Sequence, residues 1–251
     1  MLPRLSLPRL HVPSALSPGL ELNLPDGAAR HVQVLRLQPG AALCLFDGHG
    51  GEWQAEVTAM GRRDVAVRVG AHRPIERELR LAVTLAVGMP ANERMDTLVE
   101  KATELGAAAL QPLVCERSVL RVDGERAQRK ALHWQAIAVA ACEQCGRNRV
   151  PALPPPRPLR EWLATLGPAA AGERRFVLSL GADAQALPPA GALAQTRDQA
   201  VVLLSGPEGG LTEAEEARAR DAGFEPVTLG KRVLRADTAP LAALACLGAG
   251  A

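Results

Sequence analysis

Val201-Val202-Leu203-Leu204-Ser205-Gly206-Pro207-Glu208-Gly209-Gly210, continued by Leu211-Thr212-Glu213-Ala214-Glu215, carries the clearest structural signal in the chain. Four consecutive apolar residues, two of them β-branched, read as a strand buried on both faces, the habit of parallel sheets. The glycine-rich loop after it meets Thr212-x-x-Glu215, a capping box that opens a helix ending near Gly223. Buried strand, glycine loop and capped helix make the junction at which open α/β sheets hold ligands. Two readings of the loop stand at this point. Its glycines let a ligand approach backbone amides and carbonyls able to read an adenine edge, and they equally suit a tight turn. The loop is not G-x-G-x-x-G, and no G-x-x-x-x-G-K-[ST] occurs in the chain, so dinucleotide and P-loop readings lose their main support.

Downstream, Val227 to Leu229 reads as another strand, followed by Gly230-Lys231-Arg232-Val233-Leu234-Arg235-Ala236-Asp237-Thr238 and a terminal Ala/Leu helix from about Thr238. Two glycine loops after two strands can clamp one small molecule. The plainer alternative is a connection carrying solvated arginines, with Thr238 as N-cap. Upstream, strands are expected at Leu79 to Val87, Ala109 to Val114 and Phe176 to Leu180. Helices are expected between them. One is capped by Asn92, buries Met95, Leu98, Val99, Ala102 and Leu105, and stops at Gly106. A longer one runs from about Glu125 to Cys145 with Leu132, Ile137, Ala141 and Cys145 inward, and a short one spans Glu161 to Leu166. Strands alternating with helices make residues 76–251 an α/β domain with a parallel sheet. Residues 1–75 instead read as a small β-rich domain, a barrel or sandwich. Its strands are Val32 to Leu37, Ala42 to Phe46, Trp53 to Thr58 and Val65 to Val69, with turns at Pro39-Gly40 and Asp47 to Gly51.

Composition narrows the function. The 251 residues are 47% apolar and 22% charged, ordinary values for a folded chain able to bury a sizeable core. There is no Tyr and only three Phe and three Trp, so reading single strands by stacking bases on aromatic platforms is excluded. Five scattered cysteines form no disulfide framework and point to a reducing compartment. Cys142-x-x-Cys145 has neither a second pair nor a histidine at ligand spacing, so no metal is expected. The proline-broken N-terminus and the lack of a long apolar run argue against secretion and membrane spanning. Net charge is only +2, yet residues 117–160 hold nine basic residues against three acidic ones. That stretch is either a solvated helix face or a stripe of guanidinium forks for phosphates. Histidines avoid both glycine loops, which leaves no Ser-His-Asp arrangement.

Together, several motifs occur in one order: Glu100-Lys101-Ala-Thr-Glu104-Leu-Gly106, Glu116-Arg117-Ser118, Cys142-Glu-Gln-Cys-Gly-Arg147-Asn-Arg149-Val-Pro151, Gly206-Pro-Glu-Gly-Gly210 and Leu229-Gly230-x-x-Val233-Leu234-Arg235-x-Asp237-Thr238. Pro8-Arg9 and His31-Val-x-Val-Leu-Arg36 add to them. Over essentially its whole length the chain resembles the bacterial small-subunit ribosomal RNA uridine-N3 methyltransferases, the E-type Rsm family of the SPOUT superfamily. The resemblance implies an N-terminal PUA-like β-barrel (1–75) and a C-terminal α/β methyltransferase domain (76–251) threaded into a deep trefoil knot. It also implies a cytoplasmic homodimer that uses S-adenosyl-L-methionine to methylate N3 of one uridine in 16S rRNA. By carry-over, Leu204, Ser205, Gly206, Pro207, Glu208, Gly209, Gly210, Leu229, Gly230, Val233 and Leu234 hold the cofactor. Arg235, Asp237 and Thr238 sit beside the transferred methyl, and Arg9, Arg36, Lys101, Arg117, Arg147 and Arg149 hold RNA. Where the family has Glu, this chain has Asp237, shorter by one methylene, and Pro240 falls in the first turn of the last helix, where its missing N–H costs little.

Uridine N3 carries a proton at neutral pH, so a methyl acceptor there needs a base or donors that stabilise charge on O2 and O4. Arg235 suits stabilisation; Asp237 suits either the base or the orienting of Arg235. Glu208 is expected to orient its loop through backbone amides, and Lys101 with Glu104 either to pair on a helix face or to face RNA or a second subunit. Rival readings on the same scaffold are a non-catalytic RNA-binding module and a methyltransferase acting on another base or a ribose 2′-OH.

Overall fold

A computed structural model describes residues 7–91, 93–193 and 200–249. It divides into two compact units, one of residues up to Glu78 with Val139–Val150, the other of Leu79–Ala138 with Pro151 onward. The segment 139–150, placed by sequence in the second domain, thus packs within the first unit.

The first unit contains β1 (Arg9–His11), β2 (Glu21–Asn23), α1 (Asp26–Val34), β3 (Ala42–Phe46), β4 (Glu52–Met60) and β5 (Val65–Arg73). The sheet order is β1-β3-β4-β5-β2, antiparallel except for β1 on β3. The β3–β4 connection runs through Gly48, Gly50 and Gly51, all at positive φ, as a hairpin there requires. Leu10, Leu43, Leu45, Val57 and Val67 fill the core. One expectation fails: Val32 to Leu37 is not a strand but the second half of α1 and its exit. Ala28, Ala29 and Val32 face the core while Val34 is 72% exposed. A period of two would place both valines on one face; the helical period separates them. Tertiary burial of that stripe overrides the β preference of valine.

The second unit contains β6 (Ala82–Gly88), α2 (Glu93–Glu104), β7 (Ala109–Val114), α3 (Gly124–Cys145, whose last turns belong to the first unit), β8 (Arg157–Pro158) and α4 (Leu159–Thr165). It continues with β9 (Glu173–Leu178), β10 (Gln185–Ala186), α5 (Ala190–Leu193), β11 (Ala200–Ser205), α6 (Glu213–Asp221), β12 (Glu225–Thr228) and α7 (Thr238–Gly248). Every pairing is parallel, in the order β10-β12-β9-β11-β6-β7-β8. The chain builds outward from β6 through β7 to β8, then returns on the other side. β11 is inserted between β9 and β6, at the switch point where such sheets open a crevice beyond their carboxyl ends.

The capping box forms: the Glu215 amide donates to Thr212 Oγ1 at 3.2 Å and the Thr212 amide to Glu215 Oε2 at 2.9 Å. Gly106 ends the turn after α2 at φ 93°, and Asn92, expected as its N-cap, lies outside the described residues. Leu132 is 72% exposed and Leu105 36%, so neither belongs to the core; Trp134, Ala138, Ala141 and Cys142 bury the inner face of α3. The Trp134 indole N–H donates to Asp96 at 2.9 Å, joining α3 to α2. Among the described residues, no helix is long and apolar enough to cross a membrane, and no group of His, Cys, Asp and Glu could hold a metal. All five cysteines are free, and burial pushes the Cys142 thiol up to about 12, which keeps it protonated and inert.

Candidate functional site

Three neighbouring strands, β12, β9 and β11, end at one edge of the second unit's sheet, and a cavity of about 610 Å³ opens there. Its walls are Leu178 to Gly181 after β9, Ser205 to Leu211 after β11, and Thr228, Leu229 and Arg232 to Ala236 after β12. The size lies within the range of small-molecule sites.

The loop after β11 is seated by close backbone approach. A Cβ on Gly88, at the end of β6, would lie 2.5 Å from Pro207 Cδ. One on Gly206 would lie 2.8 Å from the Leu211 nitrogen, because the loop doubles back on itself. Gly210 completes the turn at φ 68°, its amide donating to the Pro207 carbonyl at 2.8 Å. Glu208 accepts from the Ala91 amide at 2.9 Å, so its carboxylate anchors the loop to the segment after β6, as an orienting role requires. Arg117 donates to the Gly209 carbonyl at 3.0 Å and lines the cavity. An arginine expected on RNA is therefore attached to the glycine loop.

Of the residues expected around a cofactor, Ser205 to Gly210, Leu229, Val233 and Leu234 all line this cavity. Leu204 does not. It is fully buried among Leu113, Val177 and Phe224, in the core beneath the site. Gly230 is also absent from the wall; at φ 113° it bends the chain, and its amide donates to Thr228 Oγ1 at 3.3 Å. Arg235 is exposed and on the wall, and its carbonyl accepts from the amides of Thr238 and Ala239 at 3.0 and 2.9 Å, closing the turn into α7. Asp237, not Thr238, holds the N-cap position of α7, but its side chain makes no cap bond and Oδ1 is buried without a partner among the described residues. Thr238 is the exposed first residue of the helix, off the wall. Sequence reasoning missed Leu178 to Gly181, Arg94, Arg232 and Glu216; only the strand order, which brings the end of β9 between β11 and β12, identifies the first group.

The arginines expected on RNA separate sharply. Arg9 is 4% exposed, a correction to its place on that surface. Its Nη1 donates to Glu52 Oε2 at 2.7 Å and its Nη2 to Asn148 Oδ1 at 2.6 Å and to the Arg147 carbonyl at 3.1 Å. The guanidinium also lies 5.1 Å from the Phe46 ring centroid. Arg147 is 3% exposed and paired with Glu78 through both carboxylate oxygens, so it too is withdrawn from solvent. Burying an arginine requires a counter-charge and partners inside the unit; both arginines have a carboxylate there, although the buried Arg9 Nε has no partner among the described residues. Burial pushes the Glu52 carboxyl up, but Arg77 and Arg9 outweigh it and hold it below the ordinary carboxylate range. Arg149 is exposed with Nε 3.2 Å from Glu76, and Arg36 is exposed in the left-handed region at φ 54°. Lys101 sits between Glu100 at 2.6 Å and Glu104 at 2.8 Å, an ion-paired helix face.

Comparisons with known proteins agree with this arrangement. Residues 77–248 match the RNA methyltransferase domain family and residues 24–70 the RNA methyltransferase PUA domain family. The ribosomal RNA small subunit methyltransferase E of Synechocystis sp. is 38% identical over 86% of this chain and 69% of its own length. The protein of the same name from Bacillus subtilis is 30% identical over 86% of this chain and 84% of its own. Among solved structures, the ribosomal RNA small subunit methyltransferase E of Neisseria gonorrhoeae, bound to S-adenosyl methionine, is 39% identical with a TM-score of 0.85, covering 95% of this chain and 96% of that one. A putative methyltransferase of Legionella pneumophila in complex with the same cofactor is 34% identical with a TM-score of 0.86, covering 96% of each chain. A PUA domain followed by a parallel-sheet methyltransferase domain, matched along nearly the full chain, makes this protein a member of the ribosomal RNA small subunit methyltransferase E family.

Proposed function

We propose that this protein methylates N3 of a uridine in 16S rRNA of the small ribosomal subunit, with S-adenosyl-L-methionine as methyl donor. The observation that carries the reading is the cavity of about 610 Å³ enclosed by the loops after β11 and β12. The cofactor fits what lines it. Leu178, Leu211, Val227 and Leu229 offer apolar surface, and the glycine loop offers backbone groups unobstructed by side chains. Bound there, the cofactor supplies an electrophilic methyl group.

The chain's own residues supply positioning and charge. Arg235, on the cavity wall, presents its guanidinium and stabilises negative charge on the uracil O2 and O4 as N3 becomes nucleophilic. Asp237 lies between the wall residues Ala236 and Ala239, and its Oδ1, buried without a partner among the described residues, accepts the N3 proton. Thr238 packs at the same turn, beside the acceptor base. Asp237→Asn should lower kcat by about a hundredfold or more while leaving cofactor affinity unchanged by calorimetry; wild-type turnover at saturating substrate would remove Asp237 as base.

Arg36, Arg149 and Lys101 belong to the surface that meets RNA in this reading, with Arg149 and Arg36 supported by their exposure. We infer further a cytoplasmic homodimer with a trefoil-knotted second domain. The exposed Leu180 (73%) and Val233 (78%) on the cavity wall support a covering second subunit. Mass spectrometry of rRNA from a strain lacking the gene tests the activity: loss of one N3-methyluridine from 16S rRNA supports it, and loss of a ribose or other base methylation would redirect it.

A further inference from the structure

A second cavity, of about 340 Å³, lies in the same unit, and two pairs of adjacent residues divide it from the first. After β7, Glu116 lines the second cavity and Arg117 the first; in the first turn of α6, Glu215 lines the second and Glu216 the first. The floor is apolar, with Cys115, Leu159 and Leu163 no more than 6% exposed. Burial pushes the Cys115 thiol up to about 12, so it contributes no charge.

Arg121, Arg160 and Arg218 stand exposed at the rim. Arg121 donates to the Glu116 carbonyl at 3.0 Å. Arg218 Nη1 forms a loose ion pair with Glu116 Oε1 at 3.7 Å, without a hydrogen bond, and the Arg160 guanidinium has no partner among the described residues. Of the two carboxylates that line it, Glu215 is consumed by the amides of Glu116 and Thr212 at 2.8 and 2.9 Å, which leaves Glu116 as the competitor for the arginines. Arg121 and Arg160 are also members of the basic stretch 117–160, for which a phosphate role was one of two readings.

We propose that this cavity is a phosphodiester subsite that takes the RNA backbone next to the target nucleotide. Arg160 and Arg218 donate to the phosphate oxygens, and the apolar floor meets the attached ribose. A free anion would need donors on every side; a floor of leucines and a thiol offers none, whereas a phosphodiester presents one charge with an apolar neighbour. The proposal rests on the rRNA reading above.

The test uses the full chain and small ribosomal subunits from a strain lacking the gene. In Arg160→Gln with Arg218→Gln, KM for the subunits should rise roughly tenfold, and the log–log salt dependence should flatten by about one unit per lost phosphate contact. Affinity for S-adenosylhomocysteine should stay as in the wild type. Glu116→Gln, which frees Arg218, should lower KM about two- to threefold, a gain that damaged folding cannot produce. An unchanged KM and salt slope in the double variant overturns the subsite while leaving the enzyme reading intact, as does a loss of cofactor affinity equal to the loss of RNA affinity. A wild-type enzyme inactive on these subunits overturns the enzyme reading itself.

Discussion

Glu52 illustrates how a charge can serve the fold instead of the ligand. Its Oε2 receives Arg9 at 2.7 Å, Arg77 at 3.0 Å and the Asn148 side-chain amide at 3.3 Å, tying the sheet of the first unit to the segment 146–150. Glu52→Gln leaves the Arg9 guanidinium buried without its counter-charge and should cost about 3–5 kcal/mol near neutrality in urea unfolding. Because the folded-state pKa lies below the ordinary 4.5, this stabilisation is complete above pH 4.5 and lost as pH falls through the depressed value. The gap between wild type and variant should therefore narrow in acid; a gap constant with pH would show that packing, not ionisation, sets it. At the same scale, Arg9 and Arg147 show what residue type and motif position leave out. Burial depends on partners distant in sequence, Glu52 and Glu78, and no local pattern announces those pairings.

Elements with strong local signals were legible. The β11 strand, the Thr212 to Glu215 capping box and the bend at Gly230 are each fixed within a few residues, and the structure has them where the sequence puts them. α1 was not legible, because two valines spaced by two residues imitate a strand and only the Ala28-Ala29-Val32 stripe, once buried, decides for a helix. The wall from Leu178 to Gly181 was also invisible, since strand order is a property of the sheet and not of any one strand. For the glycine loop, geometry makes a direct prediction. Gly206→Ala places a methyl 2.8 Å from the Leu211 nitrogen and 3.0 Å from the Gly210 carbonyl carbon, both backbone atoms that cannot rotate away. The strain, about 1–3 kcal/mol, should weaken cofactor binding roughly ten- to a hundredfold by calorimetry, with the thermal transition still cooperative. Wild-type affinity in this variant would mean that the loop's shape does not form the cofactor site.

For the whole molecule, a net charge of +2 conceals a division between buried arginines that organise a unit and exposed ones that solvent and phosphate can reach. This division predicts opposite phenotypes for near neighbours. Arg149→Gln should leave stability nearly unchanged and reduce the salt slope of RNA binding by about one unit. Arg147→Gln should lower the unfolding midpoint and affect RNA binding only through that loss. Equal effects on the salt slope would place both side chains on the RNA.

If the loops after β11 and β12 jointly enclose the methyl donor, a crystal structure grown with S-adenosylhomocysteine will show it there. The expected density lies between Gly206–Gly210 and Leu229–Leu234, against the end of β9, with the ligand's sulfur directed toward Arg235. Ligand bound outside that crevice, or the crevice filled by side chains in the complex, would remove these loops as the cofactor site.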